Sequence, residues 1–271
     1  MEKSLSGLKT AKRPLVIAHR GYRTQYPENT LAAFQAAIDA GADMIELDVL
    51  LSKDRKMVVI HDAALDCTTN GRGMVSDYTL SELKALDAGS WFDPCFKGER
   101  LPTLEEVLDR VDGRVPLNIE IKKSAYEPHH PPDAIENRIV ELVRRKNALK
   151  SVLISSFEWR VLERLAAMEE APAIALLSRD PDLDNHPEAC RKLGAFSWHP
   201  SYLAVRKEHV RRMHEAGILV FPYNADAPED IERMLEMQVD GLIVSDPLSL
   251  KTHRRSKSSS WAEARGTAKP S

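Results

Sequence analysis

The sequence predicts an α/β fold, a closed (β/α)8 TIM barrel with a small cap inserted between the second strand and its helix. Three observations lead there. Short aliphatic runs recur eight times along 271 residues, and segments of helical period separate most of them. Gly194, Gly217 and Gly241, each just ahead of a strand, stand 23 and 24 residues apart, the length of one strand–helix unit. An open doubly wound sheet uses the same alternation, but no G-x-G-x-x-G or phosphate-binding loop follows the first strand.

The runs expected as strands are Leu15–Ala18, Met44–Val49, Leu117–Ile121, Val152–Ile154, Ala173–Leu177, Ala195–Trp198, Ile218–Phe221 and Leu242–Val244. None alternates strictly, as expected of strands covered on both faces. Helical spacing appears at Leu31, Phe34 and Ile38, then at Leu104, Val107, Leu108 and Val111. It continues at Ile135, Ile139 and Leu142, at Val161, Leu162 and Leu165, and at Ile231, Met234 and Leu235. Thr79-x-x-Glu82 and Thr103-x-x-Glu106 read as capping boxes, Asn29 and Asp133 as N-caps, and Pro228 as a first-turn proline. Gly41, Gly194, Gly217 and Gly241 are expected to close helices.

Some fifty residues separate the second strand from the helix near Thr103. Met57–His61 is expected to return along Met44–Leu51, and residues 62–100 to form the cap at the C-terminal face of the barrel. Barrel and insertion together take up residues 14–250, and residues 251–271 read as a disordered basic tail. That tail carries six basic residues and one acid, leaving residues 1–250 at a net charge of −8.

Composition narrows the function. The 38 Lys+Arg against 41 Asp+Glu make a general nucleic-acid binder a poor fit. No apolar run approaches the ~20 residues that span a bilayer, so no stable membrane insertion is expected. Three scattered cysteines, Cys67, Cys95 and Cys190, without a secretory signal, fit a cytoplasmic location and inert thiols.

The polar residues at strand ends point to chemistry. Ala18-His19-Arg20-Gly21 places a proton-transfer group beside a fixed cation. In Glu46-Leu-Asp48 the two carboxylates share a strand face, and Glu120-Ile-Lys122 repeats the device on the next strand. Acids crowded at a barrel mouth need compensating charge, either a divalent cation or salt bridges to lysine and arginine. With three carboxylates the set is all-oxygen and suits Mg²⁺, Ca²⁺ or Mn²⁺ rather than zinc. His61-Asp62 closes the returning strand and adds a second imidazole. Such a set suits a substrate with negative oxygens around a tetrahedral centre, and a phosphodiester fits.

The chain resembles the glycerophosphodiester phosphodiesterases in AHRGYRTQYPENTLAAF, IELDV, VVIHD, TTNGRGMVSDYTLSELKALDAGSWF, GERLPTLEEVL and LNIEIK. Weaker likeness continues through ISSF and DGLIVSDP, so that it spans roughly residues 14–248. The resemblance implies a (β/α)8 barrel that hydrolyses small glycerophosphodiesters to sn-glycerol 3-phosphate and an alcohol. It implies His19 as catalytic base and His61 as acid, Glu46, Asp48 and Glu120 as ligands of one divalent cation, and Arg20 and Lys122 as the phosphate-holding cations. Departures touch the rim. Arg55 stands where a glycine often follows Asp54, Cys67 where a basic residue is common, and Phe221-Pro-Tyr223-Asn224 where a tryptophan is frequent.

Two other readings differ in class. A phospholipase C- or D-type or lysophospholipase D-type enzyme acting on membrane lipid predicts an apolar patch near the mouth. A barrel that only binds phosphorylated ligands would need a substitution among the seven positions, and there is none. Phe157, Trp198-His199 and Tyr223-Asn224 are candidates for lining the alcohol pocket or for packing. His129 and His130 read as loop residues, and His186, His209, His214 and His253 as surface ones.

Overall fold

In a computed structural model, residues 3–11, 13–179 and 185–256 are described. Eight parallel strands surround one axis: β1 (Leu15–His19), β2 (Met44–Leu51), β4 (Leu117–Ile121), β5 (Val152–Ser156), β6 (Ala173–Ser178), β7 (Ser197–Pro200), β8 (Leu219–Val220) and β9 (Gly241–Val244). Hydrogen bonding runs in the order β8-β7-β6-β5-β4-β2-β1-β9. The ring closes where Asp240 N donates to Val220 O and Ile243 N to Pro222 O, each at 3.0 Å. The remaining strand, β3 (Met57–Val59), returns antiparallel along the end of β2, as expected from the turn Ser52–Lys56. All eight aliphatic runs are therefore strands of the barrel.

Alternation along the strands separates two layers of packing. Val16, Ala18, Ile45, Leu47, Val49, Ile119 and Ile121 face outward into the core shared with the helices. Leu15, Ile17, Met44, Leu153, Ala175, Phe221 and Ile243 fill the interior, closed from below by Leu5 and Leu8. Farther along the same inward faces the residues turn polar: His19 on β1, Glu46 and Asp48 on β2, and Asn118 and Glu120 on β4. The registers Glu46↔Asn118 and Asp48↔Glu120 bring these residues side by side.

Both capping boxes form. Thr79 and Thr103 accept from the backbone of Glu82 and Glu106, whose carboxylates return to the cap N–H. The other two expected caps are different. Thr30, not Asn29, caps the helix Leu31–Asp39. Asn29 lies in a left-handed conformation (φ 57°), with its side chain turned into the barrel mouth. Ala134 rather than Asp133 precedes Ile135–Arg145, because Asp133 is held by Arg55 and Arg138. Gly41, Gly194 and Gly217 end helices at positive φ. Gly241 is instead the first residue of β9, where an added Cβ would meet the Phe221 ring and Leu15 at 3.0 and 3.1 Å.

Between β3 and the helix Leu104–Val111 the chain forms the turns Leu65–Cys67, Val75–Asp77 and Pro94–Phe96 and the short helix Leu80–Ala85. Leu65, Val75, Leu83 and Ala88 anchor this segment in the main core. A run of aromatic contacts, Tyr22–Tyr26–Phe96–Phe92–Trp91, joins it to the loop after β1. The helix Pro247–Ser256 runs six residues past Leu250, into the start of the segment expected as a tail. Lys251 there donates to Ala40 O at 2.6 Å. The rest of the tail, 257–271, lies outside the described residues. Among the described residues no helix is long and apolar enough to cross a membrane.

Candidate active site

The C-terminal ends of β1, β2 and β4 and the residues after β3 bring seven side chains to one place: His19, Arg20, Glu46, Asp48, His61, Glu120 and Lys122. Six of them, Asp48 apart, line a cavity of about 130 Å³ with Asn118, Phe157, Leu177, Arg179, Tyr223, Asn224 and Ile243. A larger cavity of about 420 Å³ at the other end of the molecule, beside Asp112–Val115 and Lys146–Ala148, shares none of these groups.

The three acids are buried, and each offers a ligating oxygen within 4.8 Å of the others. Burial, then repulsion from Asp48 and Glu120, pushes the Glu46 carboxyl well above the ordinary carboxylate range. Burial and Asp48 likewise push Glu120 up to about 7. Asp48 goes the other way, because Lys122 and Arg20 together outweigh its burial. Lys122 Nζ lies 3.1 Å from Asp48 Oδ1 and 2.8 Å from Glu120 Oε1. Arg20 Nε lies 3.5 Å from Asp48 Oδ2, while Asn29 Nδ2 donates to that same oxygen at 2.9 Å.

Salt bridges alone therefore leave the cluster undercompensated. Two cations face three acids, and two of those acids resist ionising. Asn118 Oδ1 is buried against the same cavity without a hydrogen-bond partner among the described residues. An all-oxygen donor set with charge to spare can hold a divalent cation, and a hard ion such as Mg²⁺ or Ca²⁺ fits its chemistry.

Both imidazoles reach this mouth. His19 Nε2 is 3.9 Å from Glu46 Oε2, and burial together with Arg20 and Arg23 lowers its pKa well below the usual value. His61 Nδ1 is 2.8 Å from Asp62 Oδ1, and its pKa is lowered chiefly by burial against the opposing pull of Asp48. Arg20 takes a left-handed backbone (φ 55°), which lets its N–H donate to Glu46 Oε2 at 3.0 Å while its Nη1 reaches Glu28 at 2.6 Å. Gly21 follows at φ 86°, so close to Ala33 that a Cβ would lie 2.7 Å from its backbone carbon.

Sequence reasoning missed several participants. Asn29 holds Asp48, Glu28 spaces Arg20 and Arg23, and Asn118 shares the inward face of Glu120. Asn118 was legible from strand alternation; the other two depend on how the β1 loop folds back. Phe157, Tyr223 and Asn224 line the cavity, whereas Trp198 and His199 are fully buried. His199 bonds Ser197 at 2.8 Å, and burial pushes its pKa down to about 3. His186, read as a surface residue, is buried between Trp159 and Trp198.

Comparison with known proteins shows the family. The model of the glycerophosphoryl diester phosphodiesterase family matches residues 19–249. A glycerophosphodiester phosphodiesterase of Caldanaerobacter subterraneus subsp. tengcongensis is 43% identical over 239 residues, covering 88% of this chain and 96% of the relative. An Oleispira antarctica phosphodiesterase, solved in complex with the product sn-glycerol-3-phosphate, superposes with a TM-score of 0.80 at 28% identity, covering 88% and 96% of the two chains. The glycerophosphodiester phosphodiesterase structure of Agrobacterium tumefaciens gives 0.75 at 29% identity, covering 87% and 98%. With the family model matching residues 19–249 and a relative 43% identical, the chain belongs to the glycerophosphoryl diester phosphodiesterase family of TIM-barrel hydrolases.

Proposed function

We propose that this protein hydrolyses small glycerophosphodiesters to sn-glycerol 3-phosphate and an alcohol, using one divalent cation and two histidines. The observation that carries the reading is the convergence of three buried acids, two cations and two imidazoles on one strand-end mouth. The product complex of the Oleispira antarctica protein supports the substrate class.

Glu46, Asp48 and Glu120 would hold the cation, Mg²⁺ or Ca²⁺ with Mn²⁺ also compatible. When bound, it supplies Lewis acidity and a template for oxygen ligands. Arg20 and Lys122 would neutralise charge that grows on the phosphoryl oxygens. Their present carboxylate partners hold them in position for that task. His19 and His61 serve proton movement at the attacking and leaving oxygens. Phe157, Leu177 and Ile243 offer an apolar wall to the glycerol carbons.

The test strips the protein with chelator and measures hydrolysis of glycerophosphocholine as Mg²⁺, Ca²⁺ or Mn²⁺ is restored. Activity should vanish and return with at least one ion; hydrolysis indifferent to chelation would remove the metal from the reading. A parallel assay on lysophospholipid micelles separates this activity from a lipid-directed one, which predicts faster turnover of the micellar substrate.

A further inference from the structure

We infer that Arg23 is a positioning residue that sets the tautomer of His19. His19 then meets the substrate as a hydrogen-bond donor, and His61 alone meets it with a lone pair. The inference deepens the proposed function and rests on it for the part the two rings play.

Arg23 Nη1 lies 3.2 Å from His19 Nδ1. A guanidinium has donors only, so Nδ1 is the acceptor of this bond, and the single ring proton of neutral His19 sits on Nε2. That nitrogen is the one that approaches Glu46, at 3.9 Å, on the cavity side. His61 is arranged in the opposite sense. Its Nδ1 faces the Asp62 carboxylate at 2.8 Å, and a carboxylate accepts. Nδ1 of His61 therefore carries the proton, and its Nε2 keeps a lone pair.

Arg23 is held for this task. Its Nε lies 3.6 Å from Glu28 Oε2, and the other oxygen of Glu28 takes Arg20 Nη1 at 2.6 Å. One carboxylate thus sets two guanidiniums, one turned to the acid cluster and one to the back of the imidazole. Family resemblance implies His19 as the base; the hydrogen bonds here give the acceptor role to His61. Neutral histidine acting as a donor has precedent in other barrel enzymes.

The tautomers are directly readable. ¹⁵N NMR of the full chain, labelled at histidine and supplied with Mg²⁺, should show His19 protonated at Nε2 and His61 at Nδ1. Signals are assigned by their loss in His19→Asn and His61→Asn. Arg23→Met should turn His19 into a mixture of tautomers and lower kcat by about tenfold or more with KM changed less. Arg23→Lys, which keeps a donor and the charge, should restore both.

A wild-type His19 protonated at Nδ1 would overturn the inference. So would an Arg23→Met variant that raises KM alone with the tautomer unchanged, which is the behaviour of a mere phosphate attractor. The NMR readout needs no turnover, so absence of phosphodiesterase activity would count against the proposed function and not against the tautomer.

Discussion

The two ends of the barrel use carboxylates in opposite ways. At the floor, the half-buried Asp43 and the buried Asp240 lie against donors. Asp43, just before β2, accepts from Val16 N at 2.9 Å, and Asp240, just before β9, accepts from Val220 N at the same distance. Asp240 also takes His214 at 2.8 Å and lies 3.8 Å from Arg13. At the mouth, Glu46, Asp48 and Glu120 crowd one another, and burial with mutual repulsion holds two of them above the ordinary carboxylate range. The floor acids tie neighbouring strands together. The mouth acids carry an electrostatic cost that the fold does not remove by itself, as expected of a place kept for a ligand.

The sharpest way to break this contrast is at the imidazoles. His19→Ala and His61→Ala should each cut turnover of glycerophosphocholine by ~10²–10⁴-fold while leaving the melting temperature nearly unchanged. A loss under about tenfold for either ring would take it out of the proposed chemistry.

Removing a charge should have opposite signs at the two ends. For Glu120 the folded pKa is about 7, above its ordinary value of 4.5, so its contribution favours folding at low pH and is lost as pH rises through 7. Metal-free Glu120→Gln should therefore gain on the order of 1–3 kcal/mol over the parent protein between about pH 5 and pH 8. Denaturant midpoints at both pH values check it. Asp240→Ala should lose about 1–3 kcal/mol, because Val220 N is left buried without its acceptor. Equal signs for the two variants would erase the difference between floor and mouth.

The same crowding makes ion binding pH-dependent. A cation has to displace the protons that Glu46 and Glu120 retain, so affinity should fall as pH drops below about 7. Titration calorimetry in two buffers of different ionisation enthalpy should register proton release on binding. The smallest effect is expected at the β2–β3 turn. Arg55 holds a left-handed backbone (φ 60°), and its guanidinium reaches Glu127 at 2.8 Å and Asp133. Arg55→Gly relieves the backbone and loses the half-buried pairs to Glu127 and Asp133, so two opposed effects should leave a net change within ~1–2 kcal/mol by chemical denaturation.

Much of this was legible in the chain because the signals are local. Aliphatic runs mark strands, Thr-x-x-Glu marks helix starts, and Glu46-x-Asp48 and Glu120-x-Lys122 declare shared faces through the two-residue period of a strand. Thr30 taking the cap from Asn29 was not legible, since either residue type suits the position and only the Asp48 carboxylate, nineteen residues away, decides between them.

Sequence by itself determined the alternation of strands and helices and the shared faces of Glu46 with Asp48 and Glu120 with Lys122, since both follow from periods of two and 3.6 along the backbone. Tertiary structure decided the partners: Arg23 behind His19, Asn29 on Asp48, His186 and His199 drawn into the interior. Those contacts depend on strand register and on the path of loops, which bring together groups that no spacing along the chain relates.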